Sequence, residues 1–288
     1  MNKYKPLINL IEKRLDELSV YSKSSYDVLC EAERYSLLAG GKHLRALIVL
    51  QTALLGGISP EDSIDFACAV EMVHTYSLIH DDLPEMDNDD LRRGVPTCHK
   101  KFGADIALLA GDALLTKAFN IIATNSKFTA DQKIECIRIL SDACGEHGML
   151  AGQTIDKVSE NVQIDYETLL QLHLRKTGDM FLASIKIGIA LSSINNEIKE
   201  MLENYIKDLG LAFQIKDDIL DVTSSVEVLG KPINSDSKSF KSTFVSMLGI
   251  DKSRELLEKK VADAKETASK VGNEFFVDLA DFFANRNM

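Results

Sequence analysis

Between Pro96 and Pro232 the chain contains no proline, and along most of that length apolar residues recur at spacings of three and four. Such a stretch reads as a succession of amphipathic helices, because the alternation that strands require is nowhere sustained. The same period governs the flanks. Leu7, Ile11, Leu15 and Leu18 mark one face of a first helix. A second runs from about Ser25 to Leu38 and stops at Gly40-Gly41, and a third covers Leu44 to Leu55 and ends at Gly56-Gly57. Ser59-Pro60-Glu61-Asp62 then supplies an N-cap, a proline at the first helical position and acids in the first turn. That helix stays apolar up to Asp81, and Pro84 ends or kinks it. Further helices are expected over Ala104 to Thr124, Ala130 to about Val158, Tyr166 to Ser192 and Glu197 to Val222. Thr223 to Ser242 is rich in Ser, Gly and Lys and reads as a loop, followed by helices over Thr243 to Leu248, Lys252 to Val271 and Glu274 to Ala284. No linker divides the chain, so a single all-α domain over residues 1–288, a bundle of about ten or more helices, is the expectation.

Apolar residues make up 45% of the chain, enough for a sizeable core, and the net charge is -11. That balance argues against a nucleic-acid surface, and it means that an anionic ligand needs cations or a local basic patch to be held. The five cysteines are scattered and form no CxxC pair, which fits a reducing cytoplasm rather than a disulfide framework or a zinc site. Met1 to Leu18 lacks the uninterrupted apolar core of a signal peptide, and no uncharged run of about 18 apolar residues suggests a membrane span.

Against this background one segment stands out. Asp81, Asp82, Glu85, Asp87, Asp89 and Asp90 place six carboxylates in ten residues, followed at once by Arg92 and Arg93. Such a cluster repels itself unless water solvates it or cations sit in it. A second cluster, Asp217, Asp218 and Asp221, ends another apolar helix, with Asp217 and Asp221 on one face. Two carboxylate clusters serving one pocket would suit Mg²⁺, which takes one or two carboxylates and is completed by waters and phosphates; neither cluster holds the His or Cys that a transition metal prefers. A calcium loop starting at Asp87 fails, with Leu91, Arg92 and Cys98 at positions five, six and twelve. Gly40-Gly41-Lys42 also lacks the spacing of a phosphate-binding loop. Bases lie beside Gly turns and acid clusters at Lys42 and Arg45, Arg92 and Arg93, Arg175 and Lys176, Lys231, Lys238 and Lys241, where arginine forks and lysine point charges match phosphate oxygens.

Taken together these residues resemble the trans-prenyltransferases, the isoprenyl diphosphate synthases, and most of all the bacterial farnesyl-forming members. Gly40-Gly41-Lys42-His43-Leu44-Arg45 is similar to the GGKxLR turn of that family, and Asp81 to Gly94 to its long first aspartate-rich motif with the RRG that follows. Gly152-Gln153-Thr154-Ile155-Asp156 and Lys176-Thr177 are similar to its mid-chain elements, and Phe213 to Asp221 to its second motif, FQxxDDxxD. His43 and Ala46 depart from it, standing where Arg and Pro are usual. The resemblance implies an isoprenoid synthase fold around a central cavity, a cytoplasmic homodimer, and a head-to-tail condensation. An allylic diphosphate ionises, the double bond of isopentenyl diphosphate attacks the cation, and a proton leaves, with the departing diphosphate as the base.

Carried over by position, the resemblance implies three Mg²⁺ ions. Asp81 and Asp87 hold two with help from Asp82; Asp217 holds the third, supported by Asp218 and Asp221. Arg92, Lys176, Lys231 and Lys241 meet the allylic diphosphate, and Lys42, Arg45, His74 and Arg93 the isopentenyl diphosphate. Lys176, Thr177, Gln153 and Gln214 form the catalytic set, the last three turning oxygen dipoles to the cation, and Phe213 packs near the isopentenyl chain. Residues four and five before Asp81 lie about one helical turn down, at ~1.5 Å per residue. These are Ser77 and Tyr76, and a ring at Tyr76 floors the product tunnel early. Successive additions to dimethylallyl and geranyl diphosphate would then stop at (2E,6E)-farnesyl diphosphate. The alternatives are a geranylgeranyl or geranyl diphosphate synthase, or a non-catalytic subunit of a heteromeric synthase, which would have lost motif aspartates that this chain keeps.

Overall fold

The computed structural model describes residues 2–223 and 242–285, which divide into two compact units. The N-terminal unit, Asn2–Arg138 with Ala190–Ser192, contains α1 (Lys5–Leu18), α2 (Asp27–Leu37), α3 (Leu44–Leu55), α4 (Pro60–Asp81), a two-stranded hairpin of β1 (Leu91–Arg92) and β2 (Val95–Pro96), α5 (Cys98–Phe102) and α6 (Ala104–Thr124). Helix α7 (Ala130–Cys144) begins in this unit and ends in the other. The C-terminal unit continues with α8 (Met149–Val158), α9 (Tyr166–His173), a π-helical turn (Leu174–Gly178), α10 (Asp179–Leu191), α11 (Asn196–Thr223), α12 (Phe244–Leu248), α13 (Ile250–Val271) and α14 (Glu274–Asn285). The all-α expectation holds.

In the N-terminal unit α4 is the central element. It packs on α3, α6 and α1, and Phe66, Ala67, Cys68, Ala69 and Val70 are consecutive and fully buried. Short side chains there let neighbouring helices approach on every side. Its start follows the sequence signal: Ser59 Oγ accepts from the Asp62 amide at 3.2 Å, a cap whose loss costs about 1 kcal/mol. In the C-terminal unit α11 lies against α13, and Leu169, Ala212, Ile215, Ile219, Phe244, Leu257 and Val261 form one buried cluster. The Tyr205 hydroxyl, inside that unit, donates to the Phe276 carbonyl at 2.6 Å.

Three expectations change. The single helix expected over Ala130 to Val158 is two, broken at Gly145 to Gly148, where a Cβ at Gly148 would overlap the Ala143 carbonyl. The helix expected over Tyr166 to Ser192 is interrupted by the π turn, one extra residue in the ladder that apolar spacing does not reveal. The segment after the acidic run, for which the apolar spacing gives no element, holds the hairpin. Its register pairs Leu91 with Pro96 and Arg92 with Val95, so Arg93-Gly94 forms a two-residue turn with φ 54° and 79°, the left-handed pair such turns demand.

Helix α6 has the expected bounds, Ala104–Thr124. Its mean hydropathy of 1.6 makes it long and apolar enough to cross a membrane by length and composition alone. Its packing on α4 and α2, with Lys117 Nζ 3.3 Å from Glu33, marks it instead as a core helix. Only a third of its apolar window is covered, and Leu108 and Leu109 are exposed.

Candidate active site

The N-terminal unit builds the first acidic turn. Helix α4 stops at Asp81, and the chain folds back so that the Asp87 amide donates to the Asp81 carbonyl at 2.9 Å. Asn88, at φ 51°, closes the turn by donating its amide to Leu83 at 3.1 Å. Asp87 is thereby brought back to Asp81 through the main chain. Asp82 is buried, and its carboxylate accepts from Arg92 Nε at 3.0 and 3.2 Å and from Nη2. Burial is the largest influence on the Arg92 guanidinium and lowers it; the Asp82 hydrogen bond and the charges of Asp82, Asp89 and Asp81 together exceed it and hold Arg92 above its ordinary pKa. Asp89 lies 3.4 Å from Arg92, whereas Asp90 is taken by Lys100 at 2.8 Å. One turn below Asp81, Tyr76 is 4% exposed, and the buried Ser77 hydroxyl donates to the His74 carbonyl of its own helix.

The hairpin brings a second motif to this turn. Arg93 donates to the Gly40 carbonyl, and its guanidinium lies so close to Gly41 that a Cβ there would be 3.0 Å from Cζ. His43 takes a left-handed conformation, φ 45°, just before α3, which aims Nδ1 at Glu71 Oε1 of α4, 3.0 Å away. Glu71 is 3% exposed. Burial pushes its carboxyl up, but the hydrogen bond from His43 and the charges of His43, His74 and Arg45 overcome it and bring the pKa to about 2. Burial lowers Arg45 to about 10, and burial followed by the charge of Arg45 takes His74 well below its ordinary value. His74 is therefore neutral near pH 7. Arg45, His74 and Arg93 share one electrostatic neighbourhood around Glu71, and Lys42, three residues before Arg45, is exposed.

The C-terminal unit gathers the mid-chain residues around the π turn, which carries Lys176 and Thr177. A Cβ at Gly152 of α8 would overlap the Lys176 backbone, and one at Gly210 of α11 would stand 3.5 Å from Gly178. The two glycines let two helices close on the turn. Lys176 Nζ meets Asp156 Oδ2 at 2.6 Å, so the aspartate of the GQTID segment steadies the lysine; Gln153, from that segment, is half-buried. Gln214 Oε1 is 3.0 Å from His173 Nδ1, the His173 ring stacks on Phe244 at 5.2 Å, and the Phe244 amide donates to Asp218 Oδ2 at 2.7 Å. Asp217 and Asp221 stand half-buried one turn apart on α11. Phe213 joins Phe181 and Phe283 at ring distances of 5.7 and 5.1 Å, a core contact. Lys231, Lys241 and Arg286 lie outside the described residues.

Glu71, Asp156 and His173 emerge as supporting residues that had no assigned role in the sequence analysis. Glu71 and His173 each have a pH signature, and that of His173 is the clearer. Burial takes its ring down to about 4, more than the Gln214 hydrogen bond and Asp156 restore. A depressed histidine contributes stability that is whole above its unfolded value of 6.5 and lost as pH falls toward about 4. Replacing His173 by Phe should remove up to about 3 kcal/mol of the stability lost across that window, read as a flatter dependence of the urea midpoint on pH. The Glu71 contribution disappears lower, between 4.5 and about 2.

Among the described residues no three His, Cys, Asp or Glu side chains converge into a ready cage. The carboxylates stand in ones and twos with no soft donor among them, which fits a Mg²⁺ ion completed by phosphate and water rather than a closed protein site.

Residues 26–277 match the polyprenyl synthetase family. The chain is 44% identical to a farnesyl diphosphate synthase of Micrococcus luteus over 283 residues, 97% of this chain and 96% of that protein. It is 43% identical to a chloroplastic geranylgeranyl pyrophosphate synthase of Catharanthus roseus, covering 89% of this chain and 73% of that one. Among solved structures, a geranyltransferase of Helicobacter pylori complexed with magnesium and isoprenyl diphosphate superposes with a TM-score of 0.86 at 31% identity, covering 99% of this chain and 96% of that one. With this agreement on top of the aspartate-rich turns, the chain belongs to the polyprenyl synthetase family and is an all-α trans-prenyl diphosphate synthase.

Proposed function

We propose that the enzyme condenses isopentenyl diphosphate with dimethylallyl and then geranyl diphosphate and releases (2E,6E)-farnesyl diphosphate. The observation that carries the chain length is Tyr76, a buried ring one turn below Asp81, where a lengthening chain would reach it. Relatives at near-equal identity bear farnesyl and geranylgeranyl names, so overall likeness does not choose between products. Incubation with Mg²⁺, isopentenyl diphosphate and dimethylallyl diphosphate tests the reading. Fifteen-carbon product is expected; mostly twenty-carbon product would remove Tyr76 as the floor, and no diphosphate release would remove catalysis.

In this reading Asp81 and Asp87, with Asp82, and Asp217, with Asp218 and Asp221, hold three Mg²⁺, which supply positive charge to the departing diphosphate. Asp82 also aims Arg92 through its three hydrogen bonds, and Asp156 aims Lys176. Arg92, Lys176, Lys231 and Lys241 bind the allylic diphosphate. Lys42, Arg45, His74 and Arg93 bind isopentenyl diphosphate, with Glu71 keeping the arginine and histidine in place. Thr177, Gln153 and Gln214 offer oxygen dipoles to the cation, which forms as the carbon–oxygen bond gives its electron pair to the leaving group.

The working form in this reading is a cytoplasmic homodimer, the 1–288 chain acting as one domain. What supports dimerisation is the uncovered apolar face of α6, with Leu108 46% and Leu109 51% exposed. A second copy of that face would cover it. Sedimentation should give a dimer for the parent and a monomer for Leu109→Glu; a monomeric parent would refute the assignment.

A further inference from the structure

We infer that His80 is a positioning residue for product length: locked to α6 through a slot at Gly111, it holds the ring of Tyr76 that ends chain growth. This deepens the farnesyl reading above and rests on Tyr76 being the floor.

His80 follows Tyr76 by four residues, so the two rings share a face of the last turns of α4. They meet edge to face, 5.5 Å between centroids at an interplanar angle of 85°. Two contacts fix the histidine. Its Nε2 donates to the Leu108 carbonyl of α6 at 3.0 Å, and the ring lies directly over Gly111, where a Cβ would overlap Nε2 and Cδ2. Asp112 Oδ1, 3.9 Å from the same nitrogen, is the charged group facing it from α6. The slot and the bond to a main-chain carbonyl hold the His80 ring against α6, with 25% of the side chain left exposed.

Tyr76 therefore packs against a wall that cannot retreat. A tyrosine on a yielding wall can move aside for a longer chain, whereas one on a fixed wall cannot. Chain length is a competition between release and one more addition, so a modest change in the resistance of the floor changes the product ratio. The wall is supplied by α6, which explains why a long apolar helix keeps a glycine at this one turn, and why His80, adjoining the metal-binding aspartates, turns away from them.

The test measures the ratio of twenty- to fifteen-carbon alcohols after dephosphorylation for the parent, Tyr76→Ala, His80→Ala, Gly111→Ala and the double variant Tyr76→Ala/His80→Ala. Gly111→Ala displaces the His80 ring while leaving the sequence of α4 unchanged, and it stands in if His80→Ala does not fold. The ratio should rise roughly 2- to 10-fold in His80→Ala and Gly111→Ala, the range to which an edge-to-face ring contact corresponds. The double variant should match Tyr76→Ala, because His80 acts only through that ring. Longer products from Tyr76→Ala with parental ratios from both His80→Ala and Gly111→Ala would overturn the inference and leave Tyr76 as the floor. A parental ratio from Tyr76→Ala itself would overturn the floor, and His80 with it. Additive lengthening in the double variant would also overturn it, since His80 would then act on the chain directly.

Discussion

Replacing Asp81 by Ala should lower turnover by about 10³-fold and leave the melting temperature unchanged or raised. The two halves of this expectation have one cause. Six carboxylates between Asp81 and Asp90 repel one another in the absence of cations, and the pairs Asp82–Arg92, Asp89–Arg92 and Asp90–Lys100 relieve only part of that repulsion. Removing one carboxylate eases the fold while it removes a site for the cation that the leaving diphosphate needs. Glu85→Ala separates charge from ligation: it deletes the same charge from an exposed position in the same turn, and activity should stay within about twofold. Asp82→Ala should behave differently again. It strands Arg92 beside a vacated partner, so stability falls by about 3 kcal/mol together with activity. Diphosphate release and thermal unfolding on the three variants check the scheme. Equal losses of activity in Asp81→Ala and Glu85→Ala would show that the turn acts by bulk charge rather than by ligation.

What could be read from the sequence was local. The bounds of α3, Leu44–Leu55, and the start of α4 at Pro60 follow from glycine pairs and a Ser-Pro-Glu-Asp cap, which act within a turn of themselves. Pro84 likewise marks where the helix stops, and there the chain folds Asp87 back to Asp81. The turn at Arg93-Gly94 was signalled by the glycine and passed over, because two-residue strands leave no alternation to notice. What escaped was made by distant pairs. His43 meets Glu71 across 28 residues, His173 meets Gln214 across 41, and Arg93 meets Gly40 across 53. Each pair joins two different segments, and no local pattern marks the contact. Glu71 is a lone acid in an apolar run, and only the helix packed against it gives it a partner. The π turn escaped because it alters the hydrogen-bond ladder while keeping the apolar faces in place.

Gly152→Ala distinguishes the two kinds of signal, since they predict opposite signs. By helix propensity alone, alanine inside α8 should stabilise by up to about 1 kcal/mol. By packing, its Cβ would overlap the Lys176 main chain, which cannot rotate away as a side chain can. Steric cost in a closed site of this kind runs to about 3 kcal/mol and exceeds the propensity gain. The net result should be a fall in melting temperature of a few degrees, roughly 4–8 °C. Thr154→Ala, on an exposed position of the same helix, should change it little. Activity should fall further than stability explains, even at temperatures where the variant is folded. Pushing α8 off the π turn moves the Lys176 backbone, separates Nζ from Asp156 Oδ2 and carries Thr177 with it, so two residues of the proposed site shift through one methyl group. A more stable and fully active Gly152→Ala would mean that α8 does not close on the turn, and the glycine of the GQTID segment would need another explanation.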